Sequence, residues 1–230
     1  MSNADLYVAR PMAGTGGPDD RDNHLGLEGG FYSIILKRLF DIVLVLISLP
    51  IVLPVVLLLA YLISRDGSGA FYSQSRVGRN GGSFRFWKLR SMIPDADEKL
   101  EELLASDPVA RQEWEEKQKL NDDPRVTRLG RFIRKTSLDE LPQLWNVLIG
   151  DMSLVGPRPM LPEQRALYPG RSYFYMRPGL TGYWQISDRS VGSFAGRAHH
   201  DARYLREMSL ATDVSVMMRT ALIVVRGTGC

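Results

Sequence analysis

IVLVLISLPIVLPVVLLLAYLI, residues Ile42–Ile63, is a run of twenty-two residues without a charge. As one straight helix it is about 33 Å long, enough for a hydrocarbon core of about 30 Å. Pro50 and Pro54 lie near its middle. Each removes a helix N–H and crowds the preceding turn, so the pair is predicted to bend or break the rod. Three architectures fit: a kinked span, a re-entrant helix that leaves by the face it entered, and a buried soluble helix pair. More than about eighteen uncharged residues in a row is the mark of insertion, which disfavours the soluble pair. Periodicity leaves span and re-entry open. Basic residues on both flanks, Lys37-Arg38 and Arg65, favour two cytoplasmic ends and hence the re-entrant form.

The rest of the chain is basic. Of 29 basic and 26 acidic residues, the first thirty positions hold two and five, leaving 27 and 21 for the remainder, a net +6. Such a body suits anionic headgroups or nucleotide phosphates. Residues 1–33, rich in Gly and Asp and without apolar periodicity, read as a mobile tail. That stretch lacks the basic start, apolar run and cleavage site of a secretory signal. Cys230 is the only cysteine, so no internal disulfide forms and a cytoplasm-facing protein is expected.

Past Gly69 the pattern turns to alternation. Asn80-Gly81 between Phe71–Ser75 and Phe84–Leu89 predicts a β-hairpin. Its second strand sets Arg85, Lys88 and Arg90 beside aromatic residues, which reads as a solvated strand face rather than a nucleic-acid platform. Asp95–Leu104 and Pro108–Leu120 are predicted polar helices, the second capped by Asp107. A basic helix follows over about Thr127–Arg134. Met152–Val155 is expected as a short strand, and Gly179–Ile186 as a turn and strand whose Tyr183 and Trp184 suit base stacking or a membrane interface. Ser209–Arg226 is apolar enough for an interfacial or core helix. His199-His200 lacks a partner at metal-ligand spacing.

RFIRKTSLDELPQLWNVLIGDMSLVGPRP, residues Arg131–Pro159, carries the chemistry. Its adjacent Asp139 and Glu140 lie between Arg131, Arg134 and Lys135 on one side and Arg158 on the other. Carboxylates among cations suit phosphoryl transfer, because an anionic attacker and an anionic target both need positive charge. A second reading is structural. Ser137-Leu138-Asp139-Glu140 fits a capping box, with Ser137 as N-cap and Glu140 reaching back to it. Leu138, Leu141, Leu144, Trp145 and Leu148 then form the apolar stripe of a helix closed by Gly150, with Asp139, Gln143 and Asn146 off the stripe. Gly156-Pro157-Arg158-Pro159 is a rigid loop that fixes the direction of Arg158.

Taken in order, these blocks resemble the bacterial sugar transferase family, the monotopic polyprenyl-phosphate phosphoglycosyl transferases of the exopolysaccharide-initiating type. The resemblance runs from about Leu36 to Val225. It rests on Lys37–Asp41, Lys88–Met92, Asp122–Thr127, Thr136–Pro142, Gly150–Pro159 and Arg177–Gly182. It implies an α+β, mainly helical protein: a tail over 1–33, a re-entrant membrane helix hairpin over 34–66 broken near Pro50 and Pro54, and a small cytoplasmic catalytic domain over 67–230 with a short β-hairpin and interfacial amphipathic helices. In the family the break falls at a Ser-Pro pair. Here Pro54 aligns, Leu53 stands for the serine, and either Ser48 or a neighbouring helix is expected to satisfy the freed carbonyls.

The implied activity transfers a hexose 1-phosphate from a UDP-sugar, of glucose or galactose type, to undecaprenyl phosphate. UMP is released and Mg²⁺ assists, at the cytoplasmic face of the bacterial inner membrane among its lipids. By the same resemblance Asp139 is the nucleophile that carries a covalent phosphosugar, and Glu140 assists through the metal or by proton handling. Asp139 and Glu140 are thus also the expected metal ligands. Arg134 binds phosphate, with Lys88, Arg90 and Arg158 as further anion contacts. The family leaves homo-oligomerisation open and implies no nucleic-acid partner. The rival reading from another class is a non-catalytic membrane-bound scaffold of polysaccharide assembly, in which Asp139-Glu140 only caps a helix.

Overall fold

The computed structural model describes residues 32–117, 120, 122–187 and 194–225. The expected tail, apart from Tyr32 and Ser33, lies outside the described residues, as does Cys230. The architecture is mainly helical with two small sheets. One π-turn, Tyr32–Leu36, leads into α1, Lys37–Ile63, the one helix among the described residues long and apolar enough to cross a membrane.

Pro50 and Pro54 do not end the helix: both sit inside one helical segment of 27 residues, where a proline pair is compatible with a bend. Proline's fixed φ is itself helical, so each costs a hydrogen bond without forcing the chain out of helical dihedrals. Ser48 donates to the Val45 carbonyl at 2.8 Å and not to Leu46, whose partner Pro50 removes. The expected repair by Ser48 is therefore off by one residue.

Both ends of α1 are gripped by the same body. At the start, Arg38 donates to the carbonyls of Val147 (2.5 Å) and Leu148 (2.7 Å), and Asp41 accepts from the Ser153 hydroxyl (2.7 Å) and the Leu154 N–H (3.2 Å). At the other end, Arg90 donates to the Ile63 carbonyl at 3.2 Å, and Leu59 and Ile63 pack with Ala70, Leu89 and Ile133.

The hairpin forms as predicted, with β1 (Phe71–Val77) antiparallel to β2 (Ser83–Leu89) and Lys88 opposite Tyr72. Asn80 and Gly81 at the turn both have positive φ, the conformation that Asn and Gly tolerate best. Two polar helices follow, α2 (Ala96–Ser106) and α3 (Pro108–Lys117), the latter capped by Asp107, which accepts from the N–H groups of Val109 and Ala110. Helix α4 (Arg128–Lys135) is capped by the Thr127 hydroxyl. Gly130 brings it against the end of the hairpin, since a Cβ there would overlap the Ser91 carbonyl.

Next come a single 3₁₀ turn over Leu138–Glu140, α5 (Gln143–Ile149), and β3 (Ser153–Val155). β3 pairs in parallel with β4 (Gly179–Thr181). Tyr183–Ser187 is a short helix, α6, where an extended strand was expected. The main core joins Val45, Phe86, Val147, Met152, Val155, Tyr204 and Val216, so α1, the hairpin, α5, β3 and two closing helices share one interior. Those last helices are α7 (Arg197–Glu207) and α8 (Leu210–Val225). On α8 the buried Asp213 accepts from Lys37, Tyr32 and Tyr204, each at 2.6 Å, which ties it to the start of α1. Leu210, Val214, Met218 and Leu222, four residues apart, remain exposed on it.

Candidate active site

Asp139 and Glu140 do not sit in a capped helix. Ser137 lies in the left-handed region at φ 57°, its side chain makes no capping bond, and α5 starts only at Gln143. The capping box is thus corrected: Lys88, arriving on β2 fifty-two residues earlier, takes the Glu140 carboxylate at 2.8 Å. A charge-assisted bond to an ammonium outweighs a neutral bond to a backbone N–H.

The same ammonium lies 3.4 Å from Asp139. Asp139 is only 7% exposed. Burial raises its pKa and the Glu140 charge adds to that, while Lys88 and Arg134 pull it back. Burial strips the carboxylate of hydration, and the two cations act in the opposite sense by favouring its ionised form.

A cleft of about 560 Å³ brings together all six residues singled out from the sequence: Lys88, Arg90, Arg134, Asp139, Glu140 and Arg158. Arg134, in the last turn of α4, is aimed by its Nε donating to the Ser91 hydroxyl at 2.8 Å. Arg158, in its Pro-Arg-Pro loop, has its guanidinium 5.8 Å from the centre of the Trp184 ring. Arg90 has a divided role. One terminal nitrogen is spent on Asp66 at 2.7 Å and on the end of α1, while Nε and the other terminal nitrogen are buried without partners among the described residues. It is part strut and part available donor.

The rest of the expected apolar stripe is redistributed. Trp145 is 58% exposed, whereas Gln143 and Asn146, read as off the stripe, are buried. The reason is that Asn146 accepts from the Trp87 N–H (3.2 Å) and donates to the Arg85 carbonyl (2.7 Å), locking α5 to β2 and hence Asp139 near Lys88. Residues that sequence reasoning did not single out also line the cleft: Ser91, Tyr72 and Asp97. Ser91 lay inside a quoted block, and only its position under Arg134 reveals its use. Trp184, expected as a stacking residue, lines the cleft with Arg197 stacked 4.2 Å from its ring centre.

Paired carboxylates in a cationic cleft, beside a long apolar helix, match a known group of proteins. Residues 32–227 fit the sequence model of the family described as bacterial sugar transferase. The chain belongs to that family. It is 47% identical over 199 residues to the UDP-galactose-lipid carrier transferase of Erwinia amylovora, and 48% identical over 199 residues to the undecaprenyl-phosphate galactose phosphotransferase of Salmonella typhimurium. Each match covers 86% of this chain and 42% of the relative, so the chain spans under half the length of these two. The exopolysaccharide production protein ExoY of Sinorhizobium fredii is 43% identical over 189 residues, covering 81% of this chain and 84% of that protein.

Within this family member the donor set also bears on metal binding. Asp139 and Glu140 present hard carboxylate oxygens side by side, which suits magnesium when substrate phosphates and water complete the shell. No group of three or more His, Cys, Asp or Glu side chains that could hold a metal ion is found among the described residues. His199 and His200 lie on α7 and form no such group.

Proposed function

We propose that this chain transfers a hexose 1-phosphate, of glucose or galactose type, from a UDP-sugar to undecaprenyl phosphate, the first membrane step of exopolysaccharide or glycan assembly. The observation that carries this reading is Asp139 and Glu140 side by side in one cleft with Lys88 bonded to both. The names of the Erwinia and Salmonella relatives support the galactose-type donor and the lipid acceptor. A scaffold would leave the carboxylates in a capping box, whereas here Ser137 makes no side-chain capping bond and α5 starts only at Gln143.

In the first step an Asp139 oxygen attacks the β-phosphorus of the UDP-sugar. A new O–P bond forms, the bond from that phosphorus to the bridging oxygen breaks, and UMP departs with the electron pair. Lys88, Arg134 and Arg158 offset charge on the diphosphate. In the second step an oxygen of the lipid phosphate attacks the same phosphorus, forming the lipid diphosphate sugar and releasing Asp139 as a carboxylate. Magnesium, held by Glu140 with Asp139 beside it, would supply charge neutralisation for the diphosphate. The direct test incubates purified protein with a panel of UDP-sugars before any acceptor is added. A stoichiometric burst of UMP with one hexose donor is expected, and no burst with any donor would rule the reaction out.

Asp139 sets the pH response. Its pKa is raised by burial, so its proton persists to higher pH than on an ordinary aspartate, and the nucleophilic anion is lost as pH falls through that raised value. The acid limb of UMP release should therefore lie above the ordinary Asp range of about 3.9. Lys88→Met removes a cation that lowers this pKa and should push the limb higher still. A limb that stays in place in initial-rate profiles would contradict that account.

We also propose that α1 is re-entrant, with both ends at the cytoplasmic face of the bacterial inner membrane. A straight helix of 27 residues would be about 40 Å long, so two ends at one face require it to bend at Pro50 and Pro54, and a body that holds its first turn through Arg38 and Asp41 and its last through Arg90 favours that same-side arrangement. The exposed apolar residues of α1 and α8 then face lipid. Cysteines placed at Arg38 and Arg65 should react with an impermeant maleimide from the same side of inverted vesicles. Labelling from opposite sides would make the helix a span.

A further inference from the structure

The catalytic cleft does not end at Glu140. A second cavity, an apolar groove of about 470 Å³, shares Ser137, Glu140 and Arg158 with it. From that shared rim its walls run between the 3₁₀ turn and α8: Leu138, Leu141 and Leu180 on one side, Met217, Ala221 and Val224 on the other. Ala221 and Val224 are themselves exposed, as is their neighbour Leu222, so the groove joins the charged cleft to the apolar outer surface of α8. Away from the shared rim, the polar lining includes Thr181 and Thr220, whose hydroxyls pair with each other at 2.6 Å, and Gln185. Gln185 is 8% exposed, yet its amide oxygen and nitrogen both lack hydrogen-bond partners among the described residues. A buried amide with neither end satisfied is costly unless a ligand completes it.

We infer that this groove holds the first isoprene units of the acceptor lipid, with the lipid phosphate at the rim beside Arg158 and Glu140 and the amide of Gln185 contributing a donor to the ligand. The inference rests on the proposed reaction, because only an acceptor that is both phosphate and long apolar chain needs the two cavities joined. The charged end must meet the phosphosugar on Asp139, and the tail must leave towards the bilayer without crossing the cationic cleft. A groove that begins at an arginine and ends on an exposed apolar helix meets both needs.

The test uses the full chain in detergent, loaded with UDP-sugar and then given prenyl phosphates of one, two, three and eleven isoprene units. For the unsubstituted protein KM should fall at least tenfold as the chain grows from one unit to eleven, with most of the fall over the first units that enter the groove. Ala221→Trp, at an exposed position that tolerates bulk, should raise KM for undecaprenyl phosphate tenfold or more and flatten the length series. As a second measurement, a benzophenone-bearing geranyl phosphate should label peptides from Met217–Val224, with protection by undecaprenyl phosphate. A KM and length series unmoved by Ala221→Trp, labelling confined to α1, or protection by phosphatidylglycerol but not by prenyl phosphate would each overturn the assignment. The UMP burst recorded before acceptor addition separates the two readings. Its absence from the unsubstituted protein removes the proposed reaction and the groove's role with it, whereas a normal burst with KM unmoved removes the groove assignment alone.

Discussion

Asp139→Asn should abolish UMP release from the UDP-sugar, with a loss on the order of 10³-fold or more, equivalent to about 4 kcal/mol of barrier. The amide is nearly the same size as the carboxylate but is uncharged and a poor nucleophile, so the covalent step has no attacker. The fold should survive. Lys88 keeps its shorter bond, 2.8 Å to Glu140, when the 3.4 Å contact to Asp139 is weakened, so no buried cation is stranded. Burial of Asp139 disfavours its charged form in the first place, so replacing it by a neutral amide removes a desolvation penalty rather than a stabilising charge. Two measurements decide the matter: UMP release, and trapping of radiolabelled sugar phosphate on the protein. Turnover like that of the unsubstituted chain would sink the assignment of Asp139, and loss of both signals with an unchanged melting temperature would support it.

Asp213→Ala should destabilise the protein by about 3–5 kcal/mol, the range for stranding one member of a buried ion pair. The Asp213 carboxylate is 0% exposed and accepts three bonds of 2.6 Å, from the Lys37 ammonium and the hydroxyls of Tyr32 and Tyr204. Its removal leaves a buried ammonium and two hydroxyls without their acceptor, and separates α8 from the start of α1. The fall in melting temperature in detergent should be about 10 °C for a chain of this size. Val214→Ala, at the exposed neighbouring position on the same helix, should move it by a small fraction of that. Equal melting temperatures for Asp213→Ala and the unsubstituted protein would mean that the three bonds contribute nothing net.

The features readable from sequence are those set by short-range chemistry. Asn80-Gly81 announced the hairpin because positive φ at two successive turn residues selects those side chains. Asp107 announced a helix start because its cap is satisfied within three residues. The same logic misled at Ser137-Leu138-Asp139-Glu140. There the local partner for Glu140 was the backbone of Ser137, but the hairpin delivers Lys88 to the same carboxylate. Asn146 is a parallel case, since a polar residue off an apolar stripe reads as solvated, and only the approach of β2 supplies the backbone groups that allow its burial. The two prolines of α1 predicted a bend or break from the bonds they remove, while the helix runs through both without interruption and is held at both ends by tertiary bonds.

From the sequence by itself came the membrane-inserting character of residues 42–63, the hairpin, the helix starts, and the residue types that the chemistry needs: two adjacent carboxylates among cations. These depend on composition and on contacts within a few residues, which the order of amino acids states directly. Only the tertiary structure decided that Lys88, Arg134 and Arg158, from three separate elements, converge on Asp139 and Glu140, that Ser91 aims Arg134, and that an apolar groove opens from their rim. The physical reason is that ionic bonds and cavities are made between segments brought together by burial of a shared core. Which partner a charged side chain takes depends on what that packing delivers to it, and not on its neighbours in the chain.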